Sequence, residues 1–248
     1  MARSILVTGG SGGIGRAIAE LAAAQGYDVA LTYNSNPEKA HALVRRIGEK
    51  GARAVAFKAD LSRESEIVTL FQQVDEIFGR LSVLVNNAGI IGWEGRVDQA
   101  EAAELDRLWA VNVTSYFICA REAVRRMSTA SGGEGGAIVN VSSLSGRTGV
   151  RDHRVHYAAS KGAINTFTLG LAKEVAMEGI RVSGVLPSFT ATEMHDGFGA
   201  EERARKIALT IPMQRVARPE EVAEAVLWLA SDKASFVTGT LIDVAGGS

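Results

Sequence analysis

The stretch Ser4-Ile5-Leu6-Val7-Thr8-Gly9-Gly10-Ser11-Gly12-Gly13-Ile14-Gly15 decides how the rest of the chain is read. The run from Ser4 to Thr8 predicts a strand, the glycines a loop, and the pattern from Arg16 to Gln25 a helix. Glycine lets backbone come close to a bulky anion. A helix start just behind it presents unpaired N–H groups and the positive end of a dipole. Any tight turn can use glycine, so the run means little alone. Its place between the first strand and the first helix points to the pyrophosphate of a dinucleotide, with Gly9, Ser11, Gly12, Gly13 and Ile14 as candidate contacts.

Beyond this unit the pattern repeats. Gly26 stops the helix, Asp28 to Thr32 predicts a second strand, and Asn36-Pro37 reads as an N-cap followed by proline at the first helical position. A helix from Pro37 to Ile47, a strand from Ala54 to Lys58, a helix from about Arg63 to Phe78 and a strand from Val83 to Asn86 continue it. After Asn86-Asn87-Ala88-Gly89 come helical patterns from about Ala100 to Val113 and on to Met127. A strand from Ala137 to Val141, a long helix from about His153 to Glu178, a strand from Arg181 to Leu186, a helix from Pro219 to about Ala230 and a strand from Leu241 to Val244 complete the chain. Regular alternation predicts an α/β fold: a Rossmann-like, doubly wound sheet of seven mostly parallel strands with helices on both faces. The segment Ser128 to Gly136 is the most linker-like, but a strand follows it at once, so it reads as a surface loop inside one domain spanning 1–248. Residues 188–213 hold no clean strand and read as a flap over a site.

Composition narrows the partners. The chain has 248 residues, 46% hydrophobic and 22% charged, with a net charge of −1, which argues against nucleic acid or an anionic membrane surface as the main partner. The single cysteine, Cys119, has no internal partner and reads as a buried small hydrophobe, and no Cys/His spacing resembles a metal site. With no signal-peptide pattern and no apolar run of membrane-spanning length, the expected compartment is the cytoplasm.

The chemistry is carried by Ser143 and by His156-Tyr157-Ala158-Ala159-Ser160-Lys161. On a helix, Tyr157 and Lys161 lie four apart on one face. A free phenol, with a pKa near 10, exchanges protons poorly at neutral pH, and a neighbouring ammonium favours its ionised form. Tyr157 would then give a proton to a carbonyl oxygen as hydride reaches its carbon, or take one from an alcohol in reverse. Ser143, just past a strand, would donate a hydrogen bond to the same oxygen. Such a Tyr/Lys pair also arises by chance, so it gains weight only beside the glycine loop.

An acidic residue at the end of the second strand bonds the ribose hydroxyls and repels a 2′-phosphate. That corner reads Thr32-Tyr33-Asn34-Ser35-Asn36, without a carboxylate, so NADP(H) is favoured over NAD(H), with Asn34 and Ser35 as neutral donors. Neither the corner nor Gly12 supplies a basic side chain. Trp93 either lines the substrate mouth or packs. His153 and His156 lack a third ligand in the sequence. His195, Met194 and Phe198 are candidate substrate contacts on the flap.

Together Thr8-Gly9-(three residues)-Gly13-Ile14-Gly15, Asp60-Leu61, Asn86-Asn87-Ala88-Gly89, Asn112, Ser143, Tyr157-(three residues)-Lys161, Pro187 to Thr192 and Ala245-Gly246-Gly247 resemble the short-chain dehydrogenase/reductases in their single-domain branch, over essentially the whole chain. The finer likeness is to 3-oxoacyl-carrier-protein reductases and related sugar or alcohol dehydrogenases. The resemblance implies Tyr157 as general acid/base, Lys161 as the group that lowers its pKa and bonds the nicotinamide ribose, and Ser143, the second of a serine pair, as the group that positions substrate. It implies that Asn112 kinks its helix and holds a water. Asp60 and Leu61 would contact adenine, Asn87, Ala88 and Gly89 the adenosine side, and Pro187, Ser188, Thr190 and Thr192 the nicotinamide end. It further implies a small carbonyl or alcohol substrate, no metal, and a homotetramer built through the long helices and the last strand. Ser188 departs from the family's usual glycine.

Overall fold

The computed structural model describes residues 3–149, 153–193 and 200–248. The chain alternates strand and helix: β1 (Ser4–Val7), α1 (Gly13–Ala24), β2 (Asp28–Tyr33), α2 (Pro37–Gly48), β3 (Ala54–Lys58), α3 (Glu64–Phe78) and β4 (Val83–Asn86). The second half has α4 (Ala102–Trp109), α5 (Ser115–Met127), β5 (Gly136–Val141), the short α6 (Ser145–Thr148), α7 (Val155–Val175), β6 (Ile180–Pro187), α8 (Ala200–Ala208), α9 (Pro219–Ala230) and β7 (Thr240–Val244).

The seven strands form one sheet in the order β3-β2-β1-β4-β5-β6-β7, and every neighbouring pair is parallel. Side chains alternate between its faces. Ile5 and Val7 join one apolar core with α1, α2 and α9, whereas Leu6 joins the other with α3 and α5. Burial on both faces explains why these strands are short, nearly all-apolar runs. The order reverses between β1 and β4, and ligands of such sheets sit in the crevice beyond the strand ends at that reversal.

Local chemistry sets the helix starts. The Asn36 side chain accepts from Lys39 N at 3.0 Å at the head of α2, and Glu221 accepts from Arg218 N at 2.8 Å at the head of α9, where Pro219 occupies the first turn. α1 has no such cap: Gly12 precedes it in extended conformation, with no acidic residue in the first turn, and α3, α4 and α7 likewise start without a side-chain cap.

Boundaries differ from the expected ones in places that matter. The helical stretch after Ala100 begins at Ala102 and is interrupted by one wide, π-type turn over Ala110–Thr114, which contains Asn112. The long helix starts two residues later than expected, at Val155, and its tail, Ala176–Glu178, is a tight single turn. β2 runs one residue further, through Tyr33.

Candidate active site

A cleft of about 460 Å³ opens at the strand ends where the order reverses. Its first wall is the glycine loop, and two clamps hold that loop. Thr8 Oγ1 accepts from Asn87 N at 2.9 Å and Ala88 N at 3.1 Å, while Asn87 Nδ2 donates back to Thr8 O at 2.9 Å. From the other side, Gly9 N donates to Thr32 Oγ1 and Gly10 N to Thr32 O, both at 2.9 Å. The glycines are needed for contact: Gly13 has φ +49°, and a Cβ there would meet Thr192 at 3.2 Å. With α1 uncapped, its first N–H groups face a cradle that fits a diphosphate.

The cleft gathers most of the expected residues. Gly9, Ser11, Gly12, Gly13, Ile14, Asn34, Asp60, Leu61, Asn87, Ala88, Gly89, Ser143, Tyr157, Lys161, Pro187, Ser188, Thr190 and Thr192 all line it. Ser35 does not. Because β2 extends through Tyr33, the corner of the cleft is made by Thr32, Tyr33 and Asn34, and Ser35 is exposed beyond it. Asn112 also stays out of the lining; it is fully buried and acts from behind. Its Oδ1 accepts from Ile90 N and its Nδ2 donates to Ile90 O, both at 2.8 Å, and the same Nδ2 donates to Ser160 Oγ at 3.1 Å.

α7 brings Tyr157 and Lys161 to the cleft one turn apart, and the end of β5 delivers Ser142 and Ser143 beside them. The two serines divide their duties. Ser142 Oγ is spent on the scaffold, bonded to Asn165 Oδ1 at 2.7 Å and Lys161 O at 3.0 Å. Ser143 Oγ accepts from Ser145 N at 3.1 Å, which leaves its own hydrogen for the neighbouring Tyr157 oxygen.

The charges differ from the sequence-based expectation. Burial raises the Tyr157 pKa, opposed by the neighbouring Ser143 hydroxyl and by the Arg154 charge, so the phenol is protonated at neutral pH. Lys161 does not reverse this. Its Nζ lies 6.0 Å from the centre of the Tyr157 ring and donates instead to Val141 O at 2.9 Å, while burial lowers its own pKa to about 8.

Other groups in or beside the cleft escaped the sequence reading. Arg107 lines it near Asp60, whose carboxyl is held low by hydrogen bonds from Ser62. Glu193 also lines it, ion-paired with Lys39 at 2.5 Å. Tyr116 sits behind Lys161, its hydroxyl 3.5 Å from Nζ. The open choice for Trp93 resolves toward packing: it stacks on His156 with ring centres 3.6 Å apart and does not line the cleft. His195, Met194 and Phe198 lie outside the described residues. Past β6, Ala191 N donates to Ala217 O at 2.9 Å and Ala217 N to Phe189 O at 3.0 Å. Among the described residues, no helix is long and apolar enough to cross a membrane.

The family model described as enoyl-(acyl carrier protein) reductase matches residues 9–248. An uncharacterized oxidoreductase of Escherichia coli strain K12, YgfF, is 50% identical over 242 residues, 98% of each chain. Glucose 1-dehydrogenase 2 of Bacillus subtilis is 38% identical over 99% of this chain and 94% of its own. A 3-oxoacyl-[acyl-carrier-protein] reductase, FabG, of Staphylococcus aureus is 36% identical over 100% and 98%. Among solved structures, a short-chain dehydrogenase of Burkholderia cenocepacia in complex with NADP superimposes with a TM-score of 0.90 at 35% identity, over 99% of this chain and 97% of that one.

Proposed function

This chain belongs to the short-chain dehydrogenase/reductase family, and on that premise we propose that it is an NADP(H)-dependent carbonyl reductase of the 3-oxoacyl-carrier-protein reductase type. The observation that carries this reading is the arrangement of the cleft, with Ser143, Tyr157 and Lys161 on one wall and the uncapped start of α1 on another. A dinucleotide held in this cleft would supply the hydride for the carbonyl carbon, or accept it in reverse. Tyr157 gives its phenolic proton to the carbonyl oxygen, leaving the alcohol. A phenol kept protonated at neutral pH is in the state that a proton donor to a carbonyl oxygen needs. Ser143 donates a hydrogen bond to the same oxygen and fixes its position, and the Lys161 ammonium offsets the negative charge that Tyr157 acquires.

Gly9, Ser11, Gly12, Gly13 and Ile14 would hold the diphosphate, Asp60 and Leu61 the adenine, Asn87 to Gly89 the adenosine side, and Pro187, Ser188, Thr190 and Thr192 the nicotinamide end. The lack of a carboxylate at Thr32, Tyr33 and Asn34 supports NADP(H), and Lys39 neutralises Glu193, the carboxylate closest to Gly12. The complex of the Burkholderia protein with NADP agrees with this preference. A homotetramer in the cytoplasm, each subunit a single domain, completes the proposal. Exposed Trp109, Phe117 and Leu169 on α4, α5 and α7, with Trp228 and Phe236 near β7, supply apolar faces for assembly.

A second reading, an aldose dehydrogenase, is favoured by the likeness to the Bacillus enzyme. Steady-state rates with NADPH and NADH, on a 3-oxoacyl thioester and on free aldoses, test both. The first reading requires the highest kcat/KM with NADPH and the thioester; preferential oxidation of an aldose would replace it with the second.

A further inference from the structure

Among the described residues Tyr116, on α5, is the largest fully buried side chain, and its hydroxyl reaches the catalytic wall. Its Oη donates to Val141 O at 3.0 Å. Val141 lies one residue past the last β4–β5 pair, Asn86 with Asn140, and its carbonyl takes two side-chain donors, the second being Lys161 Nζ at 2.9 Å. Because the phenolic hydrogen is committed to that carbonyl, the lone pairs on Oη remain as acceptors. Lys161 Nζ is 3.5 Å from them and 5.4 Å from the centre of the Tyr116 ring, within reach of a cation–π attraction. We propose that Tyr116 is a positioning residue for Lys161: its phenol, anchored on Val141, holds the ammonium in place and helps it to stay charged behind Tyr157.

The physical need is plain. A lysine buried without a carboxylate beside it gives up its proton more readily, and its pKa is already down to about 8. The charged or titratable groups around the pair are few. Tyr157 shares α7 with Lys161, Arg154 acts on Tyr157 from the start of that helix, and Cys119 stands near Tyr116 on α5. From β5 Lys161 meets the Val141 carbonyl, and from the loop after β4 the backbone at Gly89, where an added Cβ would lie 3.6 Å from Nζ. Burial and the nearby Tyr157 push the Tyr116 pKa far up, so Tyr116 stays neutral and serves as an acceptor rather than as a second acid. Loss of its oxygen removes one of the two acceptors on Lys161. The ammonium then gives up its proton at lower pH, and the positive charge behind Tyr157 is lost sooner.

This inference rests on the reading of Tyr157 as the proton-transfer group. The test is the pH dependence of kcat/KM for carbonyl reduction in wild type and in Tyr116→Phe, which keeps the ring and removes the oxygen. The basic limb, which reports loss of the Lys161 proton, should move down by about half a pH unit or more. A merely structural role would lower activity or stability at all pH values and leave the limb in place, and that result overturns the proposal. If the variant does not fold, wild type labelled with 13C at tyrosine Cζ provides the second test. The chain has four tyrosines, and the Tyr116 signal should shift with a midpoint near the Lys161 pKa of about 8 without Tyr116 itself ionising. A Tyr116 signal flat through that range overturns the proposal. A wild-type enzyme inactive on every carbonyl and alcohol would count against the functional reading instead, and the tyrosine signals still test this one.

Discussion

Asn112 Nδ2 lies 3.1 Å from Ser160 Oγ, and Ser160 Oγ donates in turn to Tyr157 O at 2.7 Å. The wide turn that interrupts the helix before α5 is thereby tied to the first turn of α7. Because Asn112 also pairs with both backbone groups of Ile90, one amide side chain sets the spacing of the helix, the loop after β4 and Tyr157. Asn112→Ala leaves these buried groups unpaired. It should cost about 2–3 kcal/mol in denaturant unfolding and lower kcat by tenfold or more, with a smaller effect on the dinucleotide Kd.

Gly12 leaves room for a side chain. Its backbone is extended, and an added Cβ would meet only Glu193 Oε2, at 3.6 Å. Gly12→Arg should therefore fold, and its guanidinium should raise the ratio of kcat/KM for NADPH over NADH by about tenfold. An unchanged ratio in the folded variant would show that the 2′-phosphate is not held at this end of the cleft.

Gly15 leaves none. A Cβ there would collide with the Gly9 carbonyl and lie 2.6 Å from Asn87 Nδ2. Replacing a helical glycine with alanine ordinarily gains about 1 kcal/mol, but a backbone clash of this kind costs about 2–4 kcal/mol. The clash wins. Gly15→Ala should lower thermal stability and weaken dinucleotide binding together.

Lys161 gives the protein a pH signature. Its pKa is 10.5 in an unfolded chain and about 8 in the fold, so between these values the unfolded state binds more protons and stability rises with pH. Below about pH 8 the fold carries the full cost of a desolvated charge, of order 3 kcal/mol at most. Lys161→Met should thus be more stable than wild type at pH 7, and the gap should narrow toward pH 10. Cys119, whose thiol burial pushes up to about 12, acts in the opposite sense, but it is common to both proteins and cancels in their difference. Parallel urea melts across this range check the prediction.

The layout of the sheet was legible because buried parallel strands are short apolar runs bounded by glycine, proline and asparagine, and the heads of α2 and α9 carry their caps in sequence. Ser143, Tyr157 and Lys161 were legible because a four-residue spacing on a helix survives folding unchanged. Tyr116 was harder to see: its meeting with Lys161 depends on the wide turn at Asn112 and on where β4 ends, and neither leaves a local sequence signal. Glu193 and Arg107 reach the cleft by long-range packing. Ser35 was misplaced because the extent of β2 is set by its pairing with β3, where Tyr33 faces Lys58. The direction of the Tyr157 pKa was misread because helical spacing brings Lys161 close but does not show that its ammonium turns to Val141.

The central claim is that the Tyr157 hydroxyl delivers the proton. Tyr157→Phe keeps the ring and removes only that oxygen, so the measurement is NADPH turnover on a 3-oxoacyl thioester beside the NADPH Kd of the same protein. The account predicts a fall in kcat of about a thousandfold or more with Kd changed less than about threefold. A variant that keeps most of its turnover would contradict it.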